Sequence, residues 1–239
     1  MKLLAPSEFS TSTEPIARRL VDWLRHAILT MRIKPGEKLS EQEIAHRFGV
    51  SRQPVREAFI KLSDAGLVRV LPQRGTHVMK ISVRAVTDAR FIREAIECAV
   101  VREAALRRDD LAIERLKSCI EQTKRAIDEQ SSERLFSLDE EFHRLLAAAA
   151  GRATAWRVIE DQKAHMDRVR YLDLSDAIPM LTVLAQHIEI AAAIETGDPA
   201  AAEAAMRRHL TEILVSLPKL EAKWPDLFED ATNAWLAET

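Results

Sequence analysis

Apolar positions in the first eighty residues recur at helical spacing and then give way to short β-rich runs. In residues 15–31, Ile16, Leu20, Leu24 and Ile28 fall on one helix face, with Trp23 and Ala27 beside them. Pro15 suits the first turn of that helix, and Lys34-Pro35-Gly36 ends it in a turn. Ser40 followed by Glu43 has the spacing of a capping box. The helix it opens runs through Ile44, Ala45 and Phe48, and Gly49 supplies a left-handed end. Ser51 caps a further helix, 52–65, whose apolar face is Val55, Ala58, Phe59 and Leu62. Gly66 closes it. Residues 67–71 and 76–79, around a turn at Pro72-Gln73-Arg74-Gly75, read as a β-hairpin. Two short helices joined by Gly49-Val50-Ser51 and followed by a hairpin predict a winged helix-turn-helix.

From residue 83 the period is helical throughout. The pattern predicts six helices, near 84–108, 110–130, 132–150, 152–173, 176–196 and 199–217, broken at Asp109-Asp110, Ser131-Ser132, Gly151, Leu174-Ser175 and Gly197-Asp198-Pro199. Connections this short imply antiparallel neighbours. The expected fold is mainly α: a winged helix-turn-helix with a small β-hairpin, then an antiparallel all-α bundle. The expected divisions are a flexible arm over 1–13, a head over 14–80, a bundle over 84–217 and a tail over 218–239 with a short helix near 226–237.

Charge sharpens this division. The chain of 239 residues has a net charge of −2, but the head over 14–80 carries 13 Lys and Arg against 7 Asp and Glu. A basic head on an acidic remainder suits a polyanion partner. Apolar residues make up 47%, enough to fill real cores. No apolar run approaches the roughly 20 residues needed to span a bilayer, and the first residues lack a secretory apolar segment. A cytoplasmic protein without a membrane partner is expected. Cys98 and Cys119 lie in helical patterns without metal-type spacing, as buried reduced thiols do.

The N-terminal turn of helix 52–65 offers free backbone N–H groups and a positive dipole end. Arg52 and Arg56, four residues apart, project from one face. Arginine can grip guanine O6 and N7 with two hydrogen bonds, and Gln53 beside them can donate and accept at a base edge. Arg74 and Gly75 stand at the hairpin tip, while Gln42 and Arg47 on the preceding helix suit backbone or flanking-base contacts. These residue types together point to double-stranded DNA, although singly each is also an ordinary exposed polar residue.

The bundle contains a second constellation. Asp139 and His143, at i and i+4, leave one helix face. His187 lies ten residues before Gly197 and His209 ten residues after Pro199. If those helices fold back at the turn, both imidazoles rise to a similar height, about 15 Å from it. One carboxylate and three imidazoles suit a divalent metal, zinc first, with nickel or manganese also compatible. His26, His46 and His77 read as surface or satisfied residues, and His165 as outer-sphere or surface.

The stretch Leu39-Ser40-Glu41, Phe48-Gly49-Val50-Ser51-Arg52-Gln53-Pro54-Val55-Arg56-Glu57-Ala58, Gly66-Leu67-Val68 and Arg74-Gly75 closely resembles the GntR family of bacterial regulators. The resemblance implies that Arg52 and Arg56 contact DNA and that the wing at Arg74-Gly75 assists. Gln53 stands where the family often has Thr. Arg93 and Glu97, Asp139 and His143, His187, and Met206 with His209-Leu210 resemble the FCD effector domain of the FadR-type branch, over about residues 84–217. That resemblance implies a divalent ion on the Asp and His positions with a small carboxylate, a sugar acid or other organic acid, beside it. Gly151-Arg152 departs from the Asn common there.

Arg93 is the first candidate to meet the anion, with an ion pair to Glu97 as the alternative. Arg168, Arg170 and Tyr171 are further candidates. The expected protein is a homodimeric transcriptional regulator that binds a pseudo-palindromic operator. Two alternatives keep the DNA head: a metal-free or purely dimerising bundle, and a sensor of the metal itself. A metal-dependent hydrolase is disfavoured, since no HExxH signature and no convincing general base accompany the site.

Overall fold

The computed structural model describes residues 14–71, 73–174 and 177–229, with only the backbone of 177–179. The expected arm over 1–13, Pro72 of the hairpin turn and most of the expected helix near 226–237 lie outside the described residues. The described residues form two compact units, one of residues 14–82 together with 224–229, the other Val83–Lys223.

The first unit begins with α1 (Ile16–Leu29), followed by β1 (Lys38–Leu39), α2 (Glu41–Phe48), α3 (Arg52–Asp64), β2 (Val68–Leu71) and β3 (Gly75–Val78). Leu20, Leu24 and Ile28 are fully buried, whereas Ile16 at the open end of the stripe is 40% exposed. Ser40 Oγ accepts a hydrogen bond from Glu43 N at 3.3 Å, as the spacing predicts. Gly49 ends α2 at φ +64°, conformational space that glycine enters without a Cβ penalty. The hairpin pairs Val68 with Val78 and Leu71 with Gly75. The sequence gives no signal for β1, which adds to the other edge of β3 through Lys38 and Leu39. Two residues are too few for a period.

Residues 225–229 return to this unit. After a short 3-10 turn at Pro225–Leu227, Phe228 is buried and bridges Ile81. The backbone N–H of Ile81 donates to Leu227 O at 2.9 Å and that of Glu229 to Ile81 O at 3.0 Å.

The second unit is helical: α4 (Val83–Arg107), α5 (Asp110–Asp128), α6 (Ser132–Ala149), α7 (Ala153–Gln162), α8 (Ala164–Asp173), α9 (Ala177–Thr196) and α10 (Pro199–Lys223). Its core gathers Val101, Leu116, Phe142, Leu146, Ile190 and Met206 among others. Two features depart from the periodicity. The helix expected over 152–173 breaks at Lys163, whose buried ammonium is drawn to Glu140 and Asp167. The last helix runs to Lys223 rather than 217 and carries Pro218 internally, while Leu217 and Leu220 are buried. Cys98 and Cys119 are buried free thiols, and burial raises Cys119 to about 11.

Candidate DNA-reading head and metal centre

The tip of α3 carries Arg52 and Arg56 on one exposed face, as their spacing requires. Both meet Glu41, the first residue of α2. Its Oε2 accepts from Arg52 Nη2 at 2.8 Å and Nε at 3.3 Å, and from Arg56 Nε at 2.9 Å. Those bonds hold the Glu41 carboxyl below its ordinary range, that from Arg52 most strongly. Gln53 Nε2 donates to Glu57 Oε1 at 3.1 Å. At the wing, Gly75 has φ +89°, and a Cβ there would lie 2.9 Å from Lys38 Cε. His77 Nε2 donates to Arg74 O at 3.2 Å and steadies the turn.

In the helical unit, α6 supplies Asp139 and His143, α9 supplies His187 and α10 supplies His209, all buried. One ligand atom from each lies within 4.8 Å of the others. The outer partners fix how the rings face. His143 Nδ1 is bonded to the Glu97 carboxylate, and His209 Nδ1 donates to Gln186 Oε1 at 2.9 Å. Each ring then has a bare Nε2, and these two nitrogens face each other at 3.1 Å. His187 Nε2 is buried without a hydrogen-bond partner, 3.4 Å from Asp139 Oδ1. Burial, ahead of the neighbouring charges, holds all three imidazoles below their ordinary range. Two inward lone pairs, a third imidazole nitrogen without a hydrogen-bond partner and a carboxylate converge in a buried site, a donor set that fits a divalent ion such as zinc.

Around that centre, Arg170 pairs with Asp139, and Arg93 Nε donates to Glu97 Oε1 at 2.5 Å. Burial raises the Glu97 carboxyl, but Arg93 and His143 outweigh it and hold the group well below the usual range. Phe142 stacks on His187 at 3.9 Å, and Trp156 lies parallel to His143 at 6.1 Å. A cavity of about 40 Å³ opens beside the ligands, lined by Arg93, Asp139, Met166, Arg170, Asp173 and His209 among others. Arg93 Nη2 is buried there without a hydrogen-bond partner.

The family pattern described as bacterial regulatory proteins, gntR family, matches residues 16–78, and that of the FCD domain matches residues 88–212. The chain is a member of the GntR family. Its FCD domain places it in the FadR-type branch. It is 42% identical to the HTH-type transcriptional repressor RspR of Escherichia coli K12, over 91% of this chain and 96% of the relative. Escherichia coli McbR/YncC shares the fold, with a TM-score of 0.76 and 17% identity over 87% of this chain and all of that one. A GntR transcriptional regulator from Rhodococcus sp. RHA1 shares it as well, at a TM-score of 0.72 and 24% identity over 84% of this chain and 97% of that one. The protein is therefore a DNA-binding transcriptional regulator with an FCD domain, not an enzyme. Among the described residues no helix is long and apolar enough to cross a membrane.

Within this GntR regulator, the four expected metal ligands come together, and so do Arg52 and Arg56. Gln42 and Arg47 instead line a separate groove on α2 with Trp23 and His46. Arg93 and Arg170 line the cavity beside the ligands, whereas Arg168 and Tyr171 do not. The helical turn of about 100° per residue explains this. With Arg170 facing the cavity, Arg168 lies on the far side of α8, donating to Ala164 O at 3.3 Å and to His165 Nδ1 at 2.8 Å. Tyr171 packs edge-on against Phe136, ring centres 5.9 Å apart. Arg152 is an exposed residue at the start of α7. Three participants escaped sequence reasoning: Glu41, Gln186 and the Lys163 network. Gln186 precedes a predicted ligand by one residue, but only tertiary packing shows that it serves His209 and not His187.

Proposed function

We propose that this regulator senses a small organic acid beside a divalent cation held by Asp139, His143, His187 and His209, and that the acid alters how a homodimer grips a pseudo-palindromic operator. The supporting observation is the pair of bare Nε2 atoms, those of His143 and His209, pointed at each other in a buried site. The cation would supply Lewis-acid affinity for a carboxylate. Arg93 Nη2 and Arg170 supply positive charge at the same cavity. At about 40 Å³ that cavity holds little more than water. A bound acid must therefore shift the side chains of α8 and α10 that line it, and a ligand that binds one packing better than another changes the populations of both. Arg52, Gln53 and Arg56 on α3 read base edges, the wing at Arg74-Gly75 approaches the backbone or minor groove, and Gln42 and Arg47 contact flanking phosphates.

Metal analysis of the purified protein tests the sensor half. Stoichiometric zinc, nickel or manganese is expected in the wild type, with loss in the His187→Ala/His209→Ala double variant. A wild-type dimer that binds its operator normally without metal would instead make the bundle a dimerisation module. In metal-loaded protein, a panel of sugar acids and other small carboxylates should contain members that raise Tm and change operator affinity.

A further inference from the structure

We infer that Glu41 determines specificity in the reading head, by holding Arg52 and Arg56 in register for base edges while withholding them from phosphates. The inference rests on the reading that these two arginines meet DNA. Its basis is the single oxygen, Glu41 Oε2, that accepts from both guanidinium groups. The arrangement is fixed from below. Ser40 caps α2 immediately before Glu41, and the left-handed Gly49 sets the turn between α2 and α3. Arg56 reaches the carboxylate through Nε, the flank of its guanidinium. Its Nη1–Nη2 edge is left for a bidentate pair with guanine O6 and N7.

An exposed arginine loses rotamer freedom when it docks, and one shared carboxylate restricts two arginines before DNA arrives. The same negative charge stands where a phosphate would otherwise sit. On a random duplex, a phosphate must displace Glu41 or bear its repulsion. A matching base edge pairs with the outer edge of Arg56 while Glu41 stays in place. Selectivity then comes from weakening the wrong complex as much as from strengthening the right one. An ordinary surface ion pair adds little to folding stability. Glu41 side-chain exposure is 27%, and that of the arginines 57% and 52%. Its removal should accordingly change DNA choice and leave Tm nearly unmoved.

The test compares full-length wild type, Glu41→Ala, Glu41→Gln and Arg56→Ala on two probes over a range of salt. One probe is a duplex selected by the wild-type protein from a random-sequence library; the other is a shuffled duplex of the same base composition. Glu41→Ala should tighten binding to the shuffled duplex, steepen its salt dependence and cut the selected-to-shuffled ratio about tenfold or more. Glu41→Gln, which keeps an acceptor oxygen without the charge, should recover part of the ratio. If Glu41→Ala keeps the wild-type ratio while Arg56→Ala loses it, the role given to Glu41 is wrong and the arginine assignment stands. If Arg56→Ala keeps the ratio, the arginine assignment itself falls. Equal weakening on both probes with a lowered Tm would mark a folding defect and also overturn the inference.

Discussion

Arg93 and Glu97 stand one turn apart on α4, both buried, with Glu97 also bonded to a ligand imidazole. Removing one charge of such a pair leaves the other stranded. Glu97→Gln is expected to destabilise the helical unit by about 3–5 kcal/mol in chemical denaturation. The pH response follows from the depressed Glu97 carboxyl. An unfolded glutamate titrates near 4.5, and the folded one lower. Between those values the unfolded chain binds the proton and the native chain does not, so stability rises with pH there. The pair's contribution is fully present above the unfolded value and is lost as pH falls through the folded one. The acid limb should be shallower in Glu97→Gln than in wild type. At this scale the sequence revealed what spacing encodes. Asp139 and His143 share a face by their four-residue interval, and His187 and His209 are nearly symmetric about a turn. Gln186 and Glu41 have no such arithmetic, because their partners lie on other helices.

Elements place those residues, and their boundaries carry the next predictions. Gly197 joins α9 to α10 at φ +70°, and a Cβ there would lie 2.5 Å from Arg108 Cδ. Gly197→Ala is expected to cost about 1 kcal/mol or more in urea denaturation, and to reduce metal retention by tilting His187 against His209. The break at Lys163 is a tertiary effect. Its ammonium bonds Glu140 and Asp167 and stands 5.2 Å from the centre of the Trp156 ring. Lys163→Met should lower stability by about 1.5–3 kcal/mol, as read by thermal or urea unfolding, because Glu140 and Asp167 lose a charged hydrogen bond but keep Arg170 beside them. Residues 160–163, Glu-Asp-Gln-Lys, contain no glycine or proline to mark a break, so the sequence predicts one helix where burial of a charge produces two. Helix number and order elsewhere were legible because each boundary carries a capping or breaking residue, such as Asp109, Ser131 and Gly151.

At the scale of the molecule, the two units have unequal debts to the ends of the chain. The helical unit is one continuous stretch, while the first unit takes its last residues from beyond Lys223. Phe228→Ala is expected to destabilise the first unit by about 3–5 kcal/mol. Operator binding should weaken while metal content stays at the wild-type level, which a binding titration and metal analysis on one preparation would check. No period or charge run announces this return, since three helical residues and one aromatic side chain carry no pattern.

The return also bears on any transplant of the reading head. A chimera grafting residues 14–82 onto a foreign sensor would leave the Ile81 amide and carbonyl without the Leu227 and Glu229 partners they have here, and would open a void the size of an aromatic ring. Transfer of this head to another sensor therefore needs two splice points, with the C-terminal one just after Lys223.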